Sequence, residues 1–192
     1  MENVIEALAK TPLYDVHVAA GARMVPFAGF EMPVQYSGLR AEHDAVRNAA
    51  GLFDVSHMGQ VIVAGQDFVT AAAALETLVP VDILGLGQDR QRYGFFTNET
   101  GGILDDLMLA NRGDHIFVVV NAGCKADDIA YMKAALSDVT VTEITDRALL
   151  ALQGPAAETV LSALDPKAAR MQFMDVATLT LAGAECWVSR SG

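Results

Sequence analysis

The stretch Tyr93-Gly94-Phe95-Phe96-Thr97-Asn98-Glu99-Thr100-Gly101-Gly102-Ile103-Leu104-Asp105-Asp106-Leu107-Met108-Leu109 decides how the chain is read. An aromatic and β-branched run, a polar Asn-Glu-Thr-Gly-Gly connector and a second apolar run predict two antiparallel strands joined by a turn. Side chains alternate across a strand, which predicts Ile103, Asp105, Leu107 and Leu109 on one face and Leu104, Asp106, Met108 and Ala110 on the other. Each face is apolar except for one carboxylate. An ionised carboxylate in such surroundings is costly to desolvate, so each acid calls for a partner, a ligand or a raised pKa, unless both lie at the strand mouth where water reaches them.

Working outward, Gly59 to Ala64 alternates as a strand, and Asp67 caps an Ala-rich helix that runs to about Leu78, before Pro80. The hairpin follows, then a strand at His115 to Val120, a helix from about Ala126 to Leu136 and a strand at Val139 to Thr145. Strand, helix, three strands, helix, strand predicts an α+β fold with helices on one face of an antiparallel sheet, a ferredoxin-like insert over residues 59–145. Before it, residues 1–10 read as a short helix or frayed start, and Gly21 to Tyr36, broken by glycine and proline, as short strands and turns. Ser37 is the expected N-cap of a helix running to about Ala50, with Leu39, Val46 and Ala50 inward and Gly51 as its stop. After the insert come a strand at Arg147 to Gln153, a helix opened by Gly154-Pro155, and strands at about Val176 to Ala182 and Glu185 to Arg190. The expected domains are therefore 1–58 and 146–192, two parts of one discontinuous domain, with 59–145 inserted between them.

The 192-residue chain is 52% hydrophobic and 19% charged, an ordered globular composition. Its net charge of −11 argues against a nucleic-acid groove or an anionic membrane surface as the main partner. No apolar run approaches the roughly 20 residues of a membrane span. Cys124 and Cys186, far apart, read as structural thiols of a reducing compartment, and with no signal or transit pattern at the start a cytoplasmic location is expected. The four histidines and two cysteines have no metal-ligand spacing, and no Walker or Rossmann glycine pattern follows a strand.

An ordered set of motifs carries a resemblance. It comprises Thr11-Pro12-Leu13-Tyr14, Gly21-Ala22-Arg23-Met24, Glu42-His43 through Arg47, Gly51-Leu52-Phe53-Asp54-Val55-Ser56-His57-Met58, Gly101-Gly102-Ile103-Leu104-Asp105-Asp106-Leu107, Val120-Asn121-Ala122 and Gln153-Gly154-Pro155. From about residue 11 onward the chain resembles the glycine cleavage system T proteins, tetrahydrofolate-dependent aminomethyltransferases. The resemblance implies a split first domain that binds folate, an inserted ferredoxin-like domain and a C-terminal barrel domain absent from this chain. The chain stops at Ser189-Arg190-Ser191-Gly192, just before a Tyr-Thr-Gly-Glu-like motif of the family, and so looks like an N-terminal portion.

The implied reaction transfers a methylene carbon from an aminomethyl-lipoyl arm of the partner H protein to tetrahydrofolate, with release of ammonia. By resemblance Asp105 is the catalytic carboxylate, orienting the pterin and facing developing positive charge, and Asp106 is structural. Met58 and Tyr93 are candidates for the pterin slot, or ordinary packing residues. Asn121 either hydrogen-bonds the pterin or caps the following turn. His57 has the chemistry of a physiological-pH base, but it follows Val55-Ser56 in a buried-looking stretch and reads as structural. Two relatives on the same scaffold are the alternatives: a folate-dependent demethylase and a folate-binding assembly protein without transferase activity.

Overall fold

The computed structural model describes residues 7–192. These form two compact units: one holds the chain up to His57 together with Asp146–Val160, the other Met58–Thr145 together with Leu161–Gly192.

The second unit is built on five antiparallel strands. β5 (Gly59–Ala64), β6 (Gln91–Thr97), β7 (Ile103–Asn111), β8 (Ile116–Val120) and β9 (Thr140–Glu143) lie in the order β6-β7-β8-β5-β9. Helices α3 (Phe68–Glu76) and α4 (Lys125–Ala135) connect β5 to β6 and β8 to β9. The order strand, helix, three strands, helix, strand is the expected one. Alternation builds the core. Val61 and Val63, Leu107 and Leu109, and Ile116, Val118 and Val120 point to one face and pack with Leu75 and Met132. Fully burying each such side chain contributes about 1.5–3 kcal/mol. Asp67 caps α3 as expected, its carboxylate accepting from the Thr70 amide at 2.8 Å.

The β6–β7 turn follows its chemistry. Asn98 Oδ1 accepts from the amides of Thr100 (3.1 Å) and Gly102 (2.8 Å), while Gly101 takes φ +79°, which glycine adopts at no steric cost. One expectation is corrected here. The pairing steps from Thr97↔Ile103 directly to Phe96↔Asp105, so Leu104 is an extra residue in β7, a bulge. Ile103 therefore leaves the face of Asp105, Leu107 and Leu109 and is 65% exposed.

Leu161–Gly192 packs with this second unit. A 3-10 helix (Pro166–Arg170), β11 (Val176–Leu181) and β12 (Ala184–Ser189) form a small core around Met171 and Leu179. Trp187 stacks edge-on against Phe117, and Arg90 is paired with Asp175.

In the first unit β1 (Ala9–Lys10), β2 (Arg23–Phe27) and β3 (Phe30–Gln35) form one sheet, and β4 (Gly51–Asp54) pairs with β10 (Leu150–Gln153). Helices α1 (Tyr14–Ala19), α2 (Leu39–Asn48) and the start of α5 (Ala157–Leu164) complete it. Of the helix expected over residues 1–10, residues 1–6 lie outside those described and Ala9–Lys10 is a strand. The N-cap of α2 is Gly38, at φ +124°, not Ser37. Glu42 takes over the capping, its carboxylate accepting from the amides of Tyr36 (2.7 Å) and Gly38 (2.9 Å), and Leu39 is exposed rather than inward. Gly154, at φ +120°, passes so close to α2 that a Cβ would lie 2.5 Å from the carbonyl oxygens of Val46 and Ala49.

Among the described residues no helix is long and apolar enough to cross a membrane, and no three His, Cys, Asp or Glu residues group to hold a metal ion.

Candidate active site

The two acids of β7 meet a single amide. Because Leu107 pairs with Val120, Asn121 comes one step beyond the end of β8, against Asp105 and Asp106. Asn121 Nδ2 donates to Asp105 Oδ1 (3.1 Å), to Asp106 Oδ1 (2.9 Å) and to the Asp106 carbonyl (3.1 Å). The Asp106 amide also donates to Asp105 Oδ1, at 2.9 Å. The two carboxylates leave β7 on opposite faces, yet one side chain holds both. Burial works against the ionised form of Asp105. Hydrogen bonds from Asn121 and from the Asp106 amide, helped by the nearby Asp128 and Cys124 side chains, outweigh it and hold the carboxyl below the ordinary carboxylate range.

Met58 immediately precedes Gly59, which pairs with Val120, so Met58 reaches the same end of the sheet as Asn121. It is half-buried. Asp105, Asn121 and Met58 thus lie at one end of three neighbouring strands, β7, β8 and β5. Tyr93 lies on β6, where it pairs with Met108, is 52% exposed, and shares its face with Phe95 and Asp106 rather than with Asp105. His57 is buried between the ring edges of Phe27 and Phe30, with centroids at 5.5 and 6.2 Å, a packing environment.

Two neighbours of Asp105 are visible only in the structure, one of them Cys124, expected only as a structural thiol. Cys124, exposed at the N-cap of α4, has its thiol pushed up by the Asp105 charge, by burial and by the neighbouring Asp128 and Asp127. Asp128, one turn further along, is 5% exposed and lies on the inward face of α4 with Ile129 and Met132. Burial, the hydrogen-bonded Asp105 charge, and Asp127 and Asp106 raise its carboxyl to about 7. The signal was the i to i+4 spacing from Asp128 to the apolar Met132, masked because acids in a first helical turn ordinarily serve the helix dipole.

The first unit holds a different buried acid. Asp54 Oδ2 lies 2.8 Å from His17 Nε2, and His17 Nδ1 lies 2.7 Å from the Tyr36 hydroxyl. A carboxylate only accepts, so Nε2 donates to it, while Nδ1 shares a hydrogen bond with the Tyr36 hydroxyl. The Ser56 amide donates to Asp54 Oδ1 at 2.9 Å. Burial opposes ionisation of Asp54, but hydrogen bonds from His17 and Ser56 more than offset it and lower its pKa.

Comparison with known proteins joins this geometry to a family. A family model, the GCVT N-terminal domain, matches residues 13–192. The mitochondrial aminomethyltransferase of Dictyostelium discoideum is 42% identical, over 96% of this chain and 48% of its own. The aminomethyltransferase of Rubrobacter xylanophilus is 46% identical, over 96% of this chain and 50% of its own. The crystal structure of glycine cleavage system aminomethyltransferase T from Bartonella henselae superposes with a TM-score of 0.83 at 37% identity, covering 88% of this chain and 47% of that one. The chain spans about half the length of the relatives it matches.

Proposed function

Because the chain belongs to the GCVT N-terminal domain family, we propose that it supplies the Asp105 half of a tetrahydrofolate-dependent aminomethyltransferase of the glycine cleavage system. The reaction moves the methylene carbon from the aminomethyl-lipoyl arm of the H protein to tetrahydrofolate and releases ammonia. In this reading segments 1–58 and 146–192 belong to a split folate-binding domain flanking in sequence the ferredoxin-like insert of residues 59–145, with Leu161–Gly192 packed in the unit of the insert, and a barrel domain beyond this chain completes the enzyme. Two free cysteines suit a reducing, cytoplasmic setting.

The observation that carries the reading is the state of Asp105. It is a half-shielded carboxylate kept ionised by its hydrogen bonds and located at a sheet end beside Asn121 and Met58. A fixed negative charge in a partly water-excluded site stabilises a cationic one-carbon unit far better than water does, because the donors that hold it are already in place. The acceptor groups suit a pterin, whose ring N–H groups donate. Asp105 would orient that ring, Asn121 would keep the carboxylate aimed, and Met58 would offer a polarizable wall. Tyr93 belongs to the same slot in this reading, reaching the pterin from the other face of the hairpin.

The test is ammonia release from aminomethyl-loaded H protein in the presence of tetrahydrofolate, assayed on the protein as its source makes it. Asp105→Asn is expected to lower turnover by roughly 10²-fold or more, the usual cost of a key electrostatic group. Near-normal turnover in Asp105→Asn together with loss in Asp106→Asn would transfer the role to the other face of β7. A wild-type protein that releases no ammonia but takes a methyl group from another donor would be a demethylase instead.

A further inference from the structure

We propose that Asp128 is the positioning residue of the Asp105 site: the two carboxyl groups share one proton, carried by Asp128 and donated to Asp105, so that the pair holds a single negative charge fixed on Asp105. The proposal deepens the reading of Asp105 given above and rests on it for its functional meaning.

The geometry is a deficit of donors. Asp105 Oδ2 and Asp128 Oδ2 are both closed off from solvent and have no hydrogen-bond partner among the described residues, and the one further donor beside Asp105, the Cys124 thiol, is a weak one. The two side chains are nevertheless within hydrogen-bonding reach of each other. Two ionised carboxylates in that position would each be desolvated and would repel. One proton removes the second charge and supplies the missing O–H, satisfying both oxygens together.

The surroundings decide which acid keeps the proton. Asp105 Oδ1 already accepts from Asn121 Nδ2 and from the Asp106 amide, and both bonds favour its ionised form. Asp128 is 5% exposed beside Ile129 and Met132. The charged and titratable groups that face it are Asp105 and Asp106 from β7, and Asp127 and Cys124 from the start of its own helix. The nearby cation, Lys125, lies 3.9 Å from Glu143. The α4 N-terminus favours an anion in its first turn, a smaller effect than the loss of hydration at a buried carboxyl. Asp128 therefore stays protonated where Asp105 is ionised. The proton pins Asp105 from the side opposite Asn121, fixing the direction of its charge.

The experiment follows aspartate carboxyl carbons and the Asn121 side-chain amide by NMR in the full, carbon-13 and nitrogen-15 labelled chain, from about pH 4 to about pH 9. One carboxyl is expected to ionise with an apparent midpoint near 7, as a property of the pair. It should vanish in Asp128→Asn and move down by roughly one unit or more in Asp105→Asn. The Asn121 amide should shift with the same midpoint in the wild type. In Asp128→Asn, where the new amide still donates to Asp105, it should stay flat across neutral pH. If every aspartate finishes titrating below about pH 5, or the Asn121 amide ignores the Asp128 titration, the proposal fails. No folate or H protein enters the measurement, so its failure leaves aminomethyl transfer standing, and absent ammonia release leaves the shared proton standing.

Discussion

Two buried carboxylates, Asp54 in one unit and the Asp105–Asp128 pair in the other, answer the same physical problem in opposite ways. Asp54 is supplied with donors from His17 and the Ser56 amide, which stabilise its ionised form within the fold. The pair formed by Asp105 at the end of β7 and Asp128 on α4 has more acceptors than donors, and one oxygen of each is closed off from solvent with no hydrogen-bond partner among the described residues. A satisfied buried acid is a pin that holds strands and helix together. An under-supplied one keeps charge and proton available, which costs stability and provides chemistry.

The difference is broken most directly by removing the pin. Asp54→Ala leaves His17 Nε2 and the Ser56 amide without their acceptor in a site where the Asp54 side chain has no exposure. It should cost about 3–5 kcal/mol of unfolding free energy, read from denaturant curves. A loss within the range of an ordinary surface substitution, about 0.5 kcal/mol, would show that the His17–Asp54 contact is incidental.

The two acids should also differ in the sign of their pH dependence. The Asp54 pKa is lowered on folding, so its contribution is present above the unfolded value of about 3.9 and is lost as pH falls. The Asp128 pKa is raised to about 7, so between about 3.9 and that value the folded chain holds a proton that the unfolded chain has released. Stability from this group must then fall as pH rises through that window and level off above it. At about 1.4 kcal/mol per unit the full effect is at most on the order of 4 kcal/mol. Subtracting the unfolding free energies of Asp128→Asn from those of the wild type, pH by pH, isolates it. A flat difference between about pH 4 and about pH 7 would erase the contrast with Asp54.

The legible parts of this molecule were those in which one local rule decides. The Asn98–Gly102 turn, the alternation of β5 and β8, and the Asp67 cap all rest on residues within a few positions of one another, and each formed where the sequence placed it. Asn121 beside Asp105 was legible in part, because it follows from the register of neighbouring strands. The bulge at Leu104 was not. Alternation assumes an unbroken strand, and an extra residue shows only in the pairing with β6. Ser37 had the right chemistry for an N-cap, but Gly38 could take φ +124° and Glu42 could reach back, so the cap moved by one residue. Asp128 and the Tyr36–His17–Asp54 chain were hidden for a further reason. Their meaning lies in contacts between residues 19 to 37 positions apart, and no local pattern separates a buried acid on a helix from a solvated one.

The smallest effect tests how far the pin extends. Tyr36 is 44% exposed, and its hydroxyl shares a hydrogen bond with His17 Nδ1 at 2.7 Å. Burial, with the Asp54 and Glu42 charges, raises the phenol pKa, so it remains a donor throughout the range in which the protein would work. Tyr36→Phe removes that hydrogen bond but leaves the His17–Asp54 bond, so it should cost only about 0.5–1.5 kcal/mol in the same denaturant measurement. In a background already carrying Asp54→Ala the cost should shrink, because an imidazole without its carboxylate no longer has a fixed orientation for the tyrosine to meet. An undiminished cost in that double variant would mean that Tyr36 packs against the unit independently of His17. The buried acid would then pin α1 to β4 alone, and the contrast with the Asp105 pair would narrow to a single bond.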